Sequence, residues 1–380
     1  MTKIGILGGA GQIGWHLAWR LRENPAYDVV AVCRSALVAA PLELSGVSCA
    51  IYDRNSTRSL RHALAGVEVI VDTTFSSSAR PGNDPGLRRF YDTTASLSTL
   101  RHLIHLSSIA VYGELSATSR AAFDRPRPDT VYGQQKLAAE KLIRRSFANS
   151  QAALSILRLG HVFGPYMAWS SHWLKLLRRG FPQARFLEKP SNAIHVAQVC
   201  ESIQACLQTP RSGVWNGLAD PNPTWREVLH WHDEALRLAD PVAAQLRVRD
   251  VIPIPERYRA RGRSLASEVY RSLKTNLARS VLGAPLTAQS IRRFLASTPF
   301  LPSVASVKAA VGAPLIHEYF ASDPADEALF IFDSAVIPGA NCSSTRPLDD
   351  ADHRAFVDYL AAVQSSGLVR AHIRDSLANG

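Results

Sequence analysis

The 380-residue chain has few cysteines and no arrangement of them that makes a motif. Cys33, Cys49, Cys200, Cys206 and Cys342 are scattered, and none forms a C-x-x-C pair, so no metal site or dithiol redox motif is expected. No apolar run is long enough to cross a bilayer, which removes a membrane partner. The first strand begins at Lys3, leaving no room for a signal peptide, and a cytoplasmic, reducing setting is expected. Zinc-finger spacing and aromatic RNA-binding motifs are absent, so no nucleic-acid partner is expected. Internal repeats and low-complexity linkers are absent too. Acidic residues are in deficit, 32 Asp+Glu against 43 Lys+Arg, a net charge of +11. The excess is spread over arginine-rich stretches such as Arg144-Arg145, Arg178-Arg179 and Arg257 to Arg263. These are either solvated faces or a field that attracts an anionic small molecule. A hydrophobic share of 46% supports a sizeable core.

What is present begins at once. Lys3 to Leu7 reads as a short buried strand. Gly8-Gly9-Ala10-Gly11-Gln12-Ile13-Gly14 follows, and Trp15 to Leu21 starts a helix, with Trp15, Ala18 and Trp19 at helical spacing. Strand, glycine turn and helix are the context of a dinucleotide fingerprint. Glycines let the backbone approach a pyrophosphate, and the amides at the helix start hold the anion. A second strand, Asp28 to Val32, ends in Cys33-Arg34-Ser35. The acid that holds a ribose 2′-hydroxyl in NAD sites is missing there. Arg34 could instead pair with a 2′-phosphate through its planar fork, which favours NADP(H) over NAD(H). The other reading of Arg34 is a solvated strand-end residue. Asp53 closes a third strand, and Val67 to Val71 form a fourth that ends in Asp72-Thr73-Thr74.

Tyr132 and Lys136 lie four apart on a stretch, Val131 to Arg145, that predicts a helix, so they share one face. An ammonium beside a phenol lowers the tyrosine pKa, and a phenol so tuned serves as general acid or base. Upstream, His105 to Gly113 is an apolar strand running into Ser107-Ser108 and a turn. A serine hydroxyl there can hold a substrate oxygen against the tyrosine.

Taken in order, these pieces resemble the extended short-chain dehydrogenase/reductases of the NAD-dependent epimerase/dehydratase superfamily. Arg158-Leu159-Gly160-His161-Val162-Phe163-Gly164-Pro165, Ala193 to Val199 and Gly213 to Gly217 extend the likeness over roughly residues 1–235. The resemblance implies an enzyme in which Ser108, Tyr132 and Lys136 are catalytic. It implies that Gly8, Gly11, Gln12, Ile13, Asp53, Thr73, Thr74, His161 and Val162 bind the cofactor together with Tyr132, Lys136 and the Arg34 read above. Asn83 corresponds weakly to an asparagine of the family. His161 replaces a common asparagine and Gln198 a usual aspartate. Ile109-Ala110 stands where the family's 4,6-dehydratases carry Asp-Glu, which argues against dehydratase chemistry. A homodimer packed through the Tyr132 helix is the family's expectation.

The fold expected is α/β, a Rossmann-type doubly wound parallel sheet. Residues 1–165 form the dinucleotide-binding domain. Residues 166–380 form a smaller substrate region and C-terminal extension, partly interleaved with the first. In the extension, Leu329 to Phe332 reads as a strand, and Phe356, Tyr359, Leu360 and Val363 recur at helical spacing. The function expected is NADP(H)-dependent oxidation or reduction of a small polar carbonyl or alcohol. The alternatives are a nucleotide-sugar epimerase using the same residues and a non-catalytic NADP(H) sensor.

Overall fold

A computed structural model describes residues 1–53, 55–75, 85–113, 126–167, 169–170, 173–174, 177, 185–239 and 346–365. Asn83, Arg178-Arg179, the 257–263 arginine stretch and the expected strand at 329–332 lie outside these residues.

The elements alternate in the expected way. In chain order they are β1 (Thr2–Leu7), α1 (Gln12–Leu21), β2 (Tyr27–Cys33), α2 (Ala36–Leu44), β3 (Ser48–Ile51), α3 (Thr57–Ala63) and β4 (Val69–Asp72). They continue with α4 (Pro85–Ala95), β5 (His102–Ser108), α5 (Val131–Ser146), β6 (Ala153–Leu159), β7 (His161–Phe163) and β8 (Ala193–His195). The last are α6 (Val196–Gln208), β9 (Gly213–Gly217), α7 (Trp225–Ala239) and α8 (Asp350–Ser365).

Seven strands pair in the order β3-β2-β1-β4-β5-β6-β9, all parallel. Strands covered on both faces read as continuous apolar runs, which is why Ile4 to Leu7 and Val69 to Val71 show no alternation. One face packs under α1, α2 and α6 through Leu17, Leu42 and Ile203. The other packs under α3, α4 and α5 through Leu60, Phe90 and Ile143. β1 connects to β2 on one side and borders β4 on the other, so the direction of winding reverses between β1 and β4. In a doubly wound sheet that reversal opens a crevice at the carboxyl ends of the strands.

A second core is aromatic. Phe163, Trp173, Trp225 and Phe356 are buried together, with Trp231 stacked on Phe356 at 4.7 Å. It lies between the short β7–β8 sheet, α7 and α8. Phe356 and Leu360 are buried and Tyr359 packs beside them, as the helical spacing predicts; the side chain of Val363 lies outside the described residues. Gln198, the unusual residue, serves the fold by closing a capping box with His195 at the start of α6. Its Nε2 also donates to the Arg346 carbonyl oxygen at 2.7 Å. Arg346 in turn binds Asp352 and Glu201, tying α8 to α6. No described helix is long and apolar enough to cross a membrane.

Helix α5 starts where the Thr130 hydroxyl accepts from the Gly133 amide and ends with Arg144 and Arg145 in its last turn. Its inward face is not purely apolar. Glu140 is 1% exposed. Its carboxylate takes a bidentate pair from Arg158, Nε to Oε1 at 3.0 Å and Nη2 to Oε2 at 2.8 Å. Ser107 donates to the same carboxylate. The Arg158 guanidinium also covers the Tyr112 ring, whose hydroxyl donates to Asn216. One carboxylate therefore joins α5 to β5 and β6, and through Arg158 and Tyr112 to β9.

Glu140→Ala strands the Arg158 charge in the interior. It should lower stability by about 3–5 kcal/mol, read from chemical or thermal denaturation. Removing both charges together with Glu140→Leu and Arg158→Met should cost distinctly less.

Candidate functional site

The crevice at the winding reversal carries the glycine loop. Gly8 sits at φ +76°, and a Cβ there would lie 2.8 Å from the Thr73 hydroxyl, so the turn admits only glycine without strain. Thr73, at the end of β4, donates to the carbonyls of Leu7 and Gly8 at 2.8 and 3.1 Å, fixing the loop to the neighbouring strand. Gly11 is exposed and caps α1 with no side chain bonded over its first turn. Gln12 and Ile13 open the helix, half-buried. This is a bare backbone cradle at a helix start, and the donor set fits the diphosphate of a nicotinamide dinucleotide.

The outer residues diverge. Arg34 is exposed just past β2, at the place where the ribose acid is missing. Asp53 is exposed beyond β3, its carboxylate accepting from the Asn55 amide at 2.9 Å. Their openness leaves both able to meet a ligand, and neither is committed to the core.

The chemical end forms where β5 meets α5. Ser108 ends β5; its hydroxyl accepts from the Ala110 amide at 3.2 Å and hydrogen-bonds the Tyr132 hydroxyl. Gly133 allows this meeting. A Cβ on Gly133 would lie 2.1 Å from the Ala110 carbonyl oxygen, so only glycine lets the first turn of α5 lie against the turn after Ser108. Tyr132 is 44% exposed, while its hydroxyl end is enclosed. Burial of that end pushes the phenol above its ordinary pKa, and the Ser108 bond works against the push.

Lys136 is buried one turn along α5 from Tyr132. Its Nζ donates to the Leu106 carbonyl oxygen at 3.0 Å, and the Phe75 ring lies against both residues, 5.3 Å from the Tyr132 ring and 5.4 Å from Nζ. Ser108 is the group that eases the phenol. Burial pulls the Lys136 ammonium down to about 8, opposed by the charges of Asp72 and Glu140.

Thr74 is half-buried and bonds the Asp72 carboxylate through its amide and hydroxyl, at 3.0 and 2.6 Å. His161 sits at the start of β7 against Trp169 and Trp225, at 4.7 and 5.4 Å. Burial lowers it to about 4, so it is neutral at pH 7. Val162 is half-buried, packed against the core beneath α1 and α6. Sequence reasoning missed Asp72, His105, Glu140 and Arg158. The available signal was charge inside otherwise apolar strands, and for Glu140 a second i+4 step along the Tyr132–Lys136 face.

Residues 4–191 match the NAD dependent epimerase/dehydratase family. That stretch, just short of half the chain, resembles the members of the family. A curated relative, the dTDP-L-rhamnose 4-epimerase of Burkholderia thailandensis, is 27% identical over 43% of this chain and 58% of that protein. The chain thus spans less than two thirds of that relative's length. Among solved structures, the UDP-glucose 4-epimerase of Thermotoga maritima is 17% identical. The match covers 68% of this chain and 87% of that one, at a TM-score of 0.53. The dTDP-glucose 4,6-dehydratase of Bacillus anthracis, solved with NAD, is 19% identical over 62% of this chain and 81% of that one, at a TM-score of 0.52. These two likenesses are of fold.

Gly133→Ala should force α5 away from the Ser108 turn. Crystallography of the variant should find the Ser108–Tyr132 bond broken with the glycine loop unchanged.

Proposed function

We propose that the chain is a nicotinamide-dependent nucleotide-sugar epimerase, with Ser108, Tyr132 and Lys136 as its catalytic set. The observation that carries this reading is the hydroxyl contact between Ser108 and Tyr132 beside the glycine-loop crevice. The family match and the rhamnose 4-epimerase relative support epimerisation better than the net carbonyl reduction expected from the sequence. Ile109 and Ala110 form the 3₁₀ turn after Ser108 and bring no carboxylate to it, which supports epimerisation over dehydration.

In this reading Tyr132 takes the proton of a sugar hydroxyl as the carbon beneath it is oxidised, then returns it after the sugar turns its other face. Ser108 donates a hydrogen bond to that oxygen throughout. Lys136 lies one turn from Tyr132, where its ammonium can bind the ribose hydroxyls of the cofactor. A bound nicotinamide would supply the reversible hydride chemistry. Gly8, Gly11, Gln12 and Ile13 are proposed to hold the diphosphate. Thr73 and Thr74 would line the cofactor beside them, with Asp53 toward the adenine and His161 and Val162 toward the nicotinamide. Residues 166–380 are proposed to form most of the substrate side.

The cofactor proposed is NAD(H), supported by the family description and by the NAD of the dehydratase structure. The NADP(H) preference rests on Arg34 alone. Calorimetric titration with NADH and NADPH, on wild type and Arg34→Ala, separates the two. NADPH binding that weakens in the variant would restore the 2′-phosphate reading.

Tyr132→Phe should reduce turnover of a UDP- or dTDP-hexose at least about 100-fold, followed by NMR of the sugar, with cofactor affinity retained. Full turnover in the variant would remove Tyr132 from the chemistry.

A further inference from the structure

Phe75 is a large aromatic side chain that the core does not take up. It is 43% exposed. Among the described residues, Met1, Ile51 and Leu238 are exposed as well, at the chain start, the end of β3 and the last turn of α7. Scattered apolar residues of that kind are ordinary. Phe75, Val131 and Tyr132 instead come together. All three are exposed, Val131 and Tyr132 are neighbours in α5, and the Phe75 and Tyr132 rings lie 5.3 Å apart. An apolar patch of this kind beside a ligand crevice marks a contact surface.

The backbone leading to Phe75 leaves it little freedom. Asp72, at the end of β4, is fully buried. Its carboxylate accepts from the Tyr91 hydroxyl at 3.0 Å and lies 2.8 Å from His105 Nδ1. Thr73 donates its amide to the Leu7 carbonyl oxygen at 3.0 Å, and its hydroxyl to the carbonyls of Leu7 and Gly8. Thr74 gives its amide and hydroxyl to Asp72, and its methyl would lie 3.3 Å from a Cβ on Gly8. Three successive residues are bonded down, so Phe75 leaves the sheet directly beside the glycine loop.

From there its ring reaches the groups on α5. Lys136 Nζ lies over the ring, 5.4 Å from its centroid, within the range of a cation–π contact. Lys136 is 7% exposed. One of its three ammonium protons goes to the Leu106 carbonyl oxygen, and the ring keeps water from one side of the charge. The rest of the ring is open. Phe75 therefore stands between the backbone cradle that fits a diphosphate and the ammonium assigned to the ribose. The part of a nicotinamide dinucleotide that spans this interval is the nicotinamide riboside.

We propose that Phe75 is a positioning residue of the cofactor site, covering the Lys136 ammonium with part of its ring and packing the nicotinamide riboside with the exposed part. The inference rests on the cofactor roles given above to Lys136 and the glycine loop. It accounts for a ring of this size left outside the core, since the cofactor would complete its burial. The contact belongs to the nicotinamide end alone, because the adenosine and diphosphate lie on the other side of the loop from Lys136.

The test is calorimetric titration of wild type, Phe75→Leu and Phe75→Tyr with NAD⁺ and with ADP. ADP carries the adenosine and diphosphate without the nicotinamide riboside, so it reports on the fold and the glycine loop. Phe75→Leu should weaken NAD⁺ binding about tenfold, as for loss of one aromatic contact, and leave ADP binding unchanged. Phe75→Tyr keeps the ring and should bind NAD⁺ as the wild type does. Equal weakening of NAD⁺ and ADP in Phe75→Leu would make Phe75 a support of the loop only. Unchanged or tighter NAD⁺ binding in that variant would make the ring a bystander or an obstruction. Either result overturns the proposal. A wild type that binds neither ligand would remove the cofactor reading and this inference with it. The NAD⁺-specific loss, with no nucleotide sugar turned over by the wild type, would instead sink the epimerase reading alone.

Discussion

The buried pair of Glu140 and Arg158 fixes the geometry on which the site depends. Its bidentate bonds, with Ser107 on the same carboxylate, clamp α5 against β5 and β6 at a definite height. Lys136 stands one turn before Glu140 and Tyr132 two turns before, on the same helical face. Once Glu140 is held, the rise of the helix sets how far Tyr132 reaches past the end of β5, which is where Ser108 lies. Gly133 completes the constraint from the other end, because its missing side chain allows the close approach to Ala110. An ion pair of this kind contributes little net stability against an apolar substitute. What it supplies here is register.

The cofactor end is built by a different device. There the backbone forms the cradle, and side chains are kept away. The winding reversal between β1 and β4 opens the crevice. The Thr73 hydroxyl ties the Gly8 turn to β4, so the glycine loop is bonded directly to the strand that leads to Asp72.

Much of this was legible in the sequence. Buried parallel strands announce themselves as apolar runs, and glycine turns announce the loop, so the α/β sheet and the Gly8-to-Gly14 cradle follow directly. Tyr132, Lys136 and Ser108 are found by spacing and by strand-to-turn context. The charge logic was not legible. Sequence spacing puts Lys136 beside Tyr132, but only the folded chain reveals that its ammonium donates to Leu106 and that burial raises the phenol. Asp72 and His105 look like strand residues of no special kind, because the contact between them depends on the β4–β5 register. Gln198 reads as a missing aspartate until the Arg346 carbonyl, 148 residues away, supplies its purpose. Choosing epimerisation over net reduction also lay beyond the residues, since both use the same three side chains.

The central claim is that hydride leaves and returns within one bound pair. The most direct measurement is the fate of deuterium at carbon 4 of a UDP- or dTDP-hexose incubated with the protein and catalytic NAD, read by NMR of the recovered sugar. The account predicts inverted product that keeps its deuterium at carbon 4, with no net NADH. Deuterium carried off into reduced cofactor, or product formed in proportion to NADPH consumed, would contradict it.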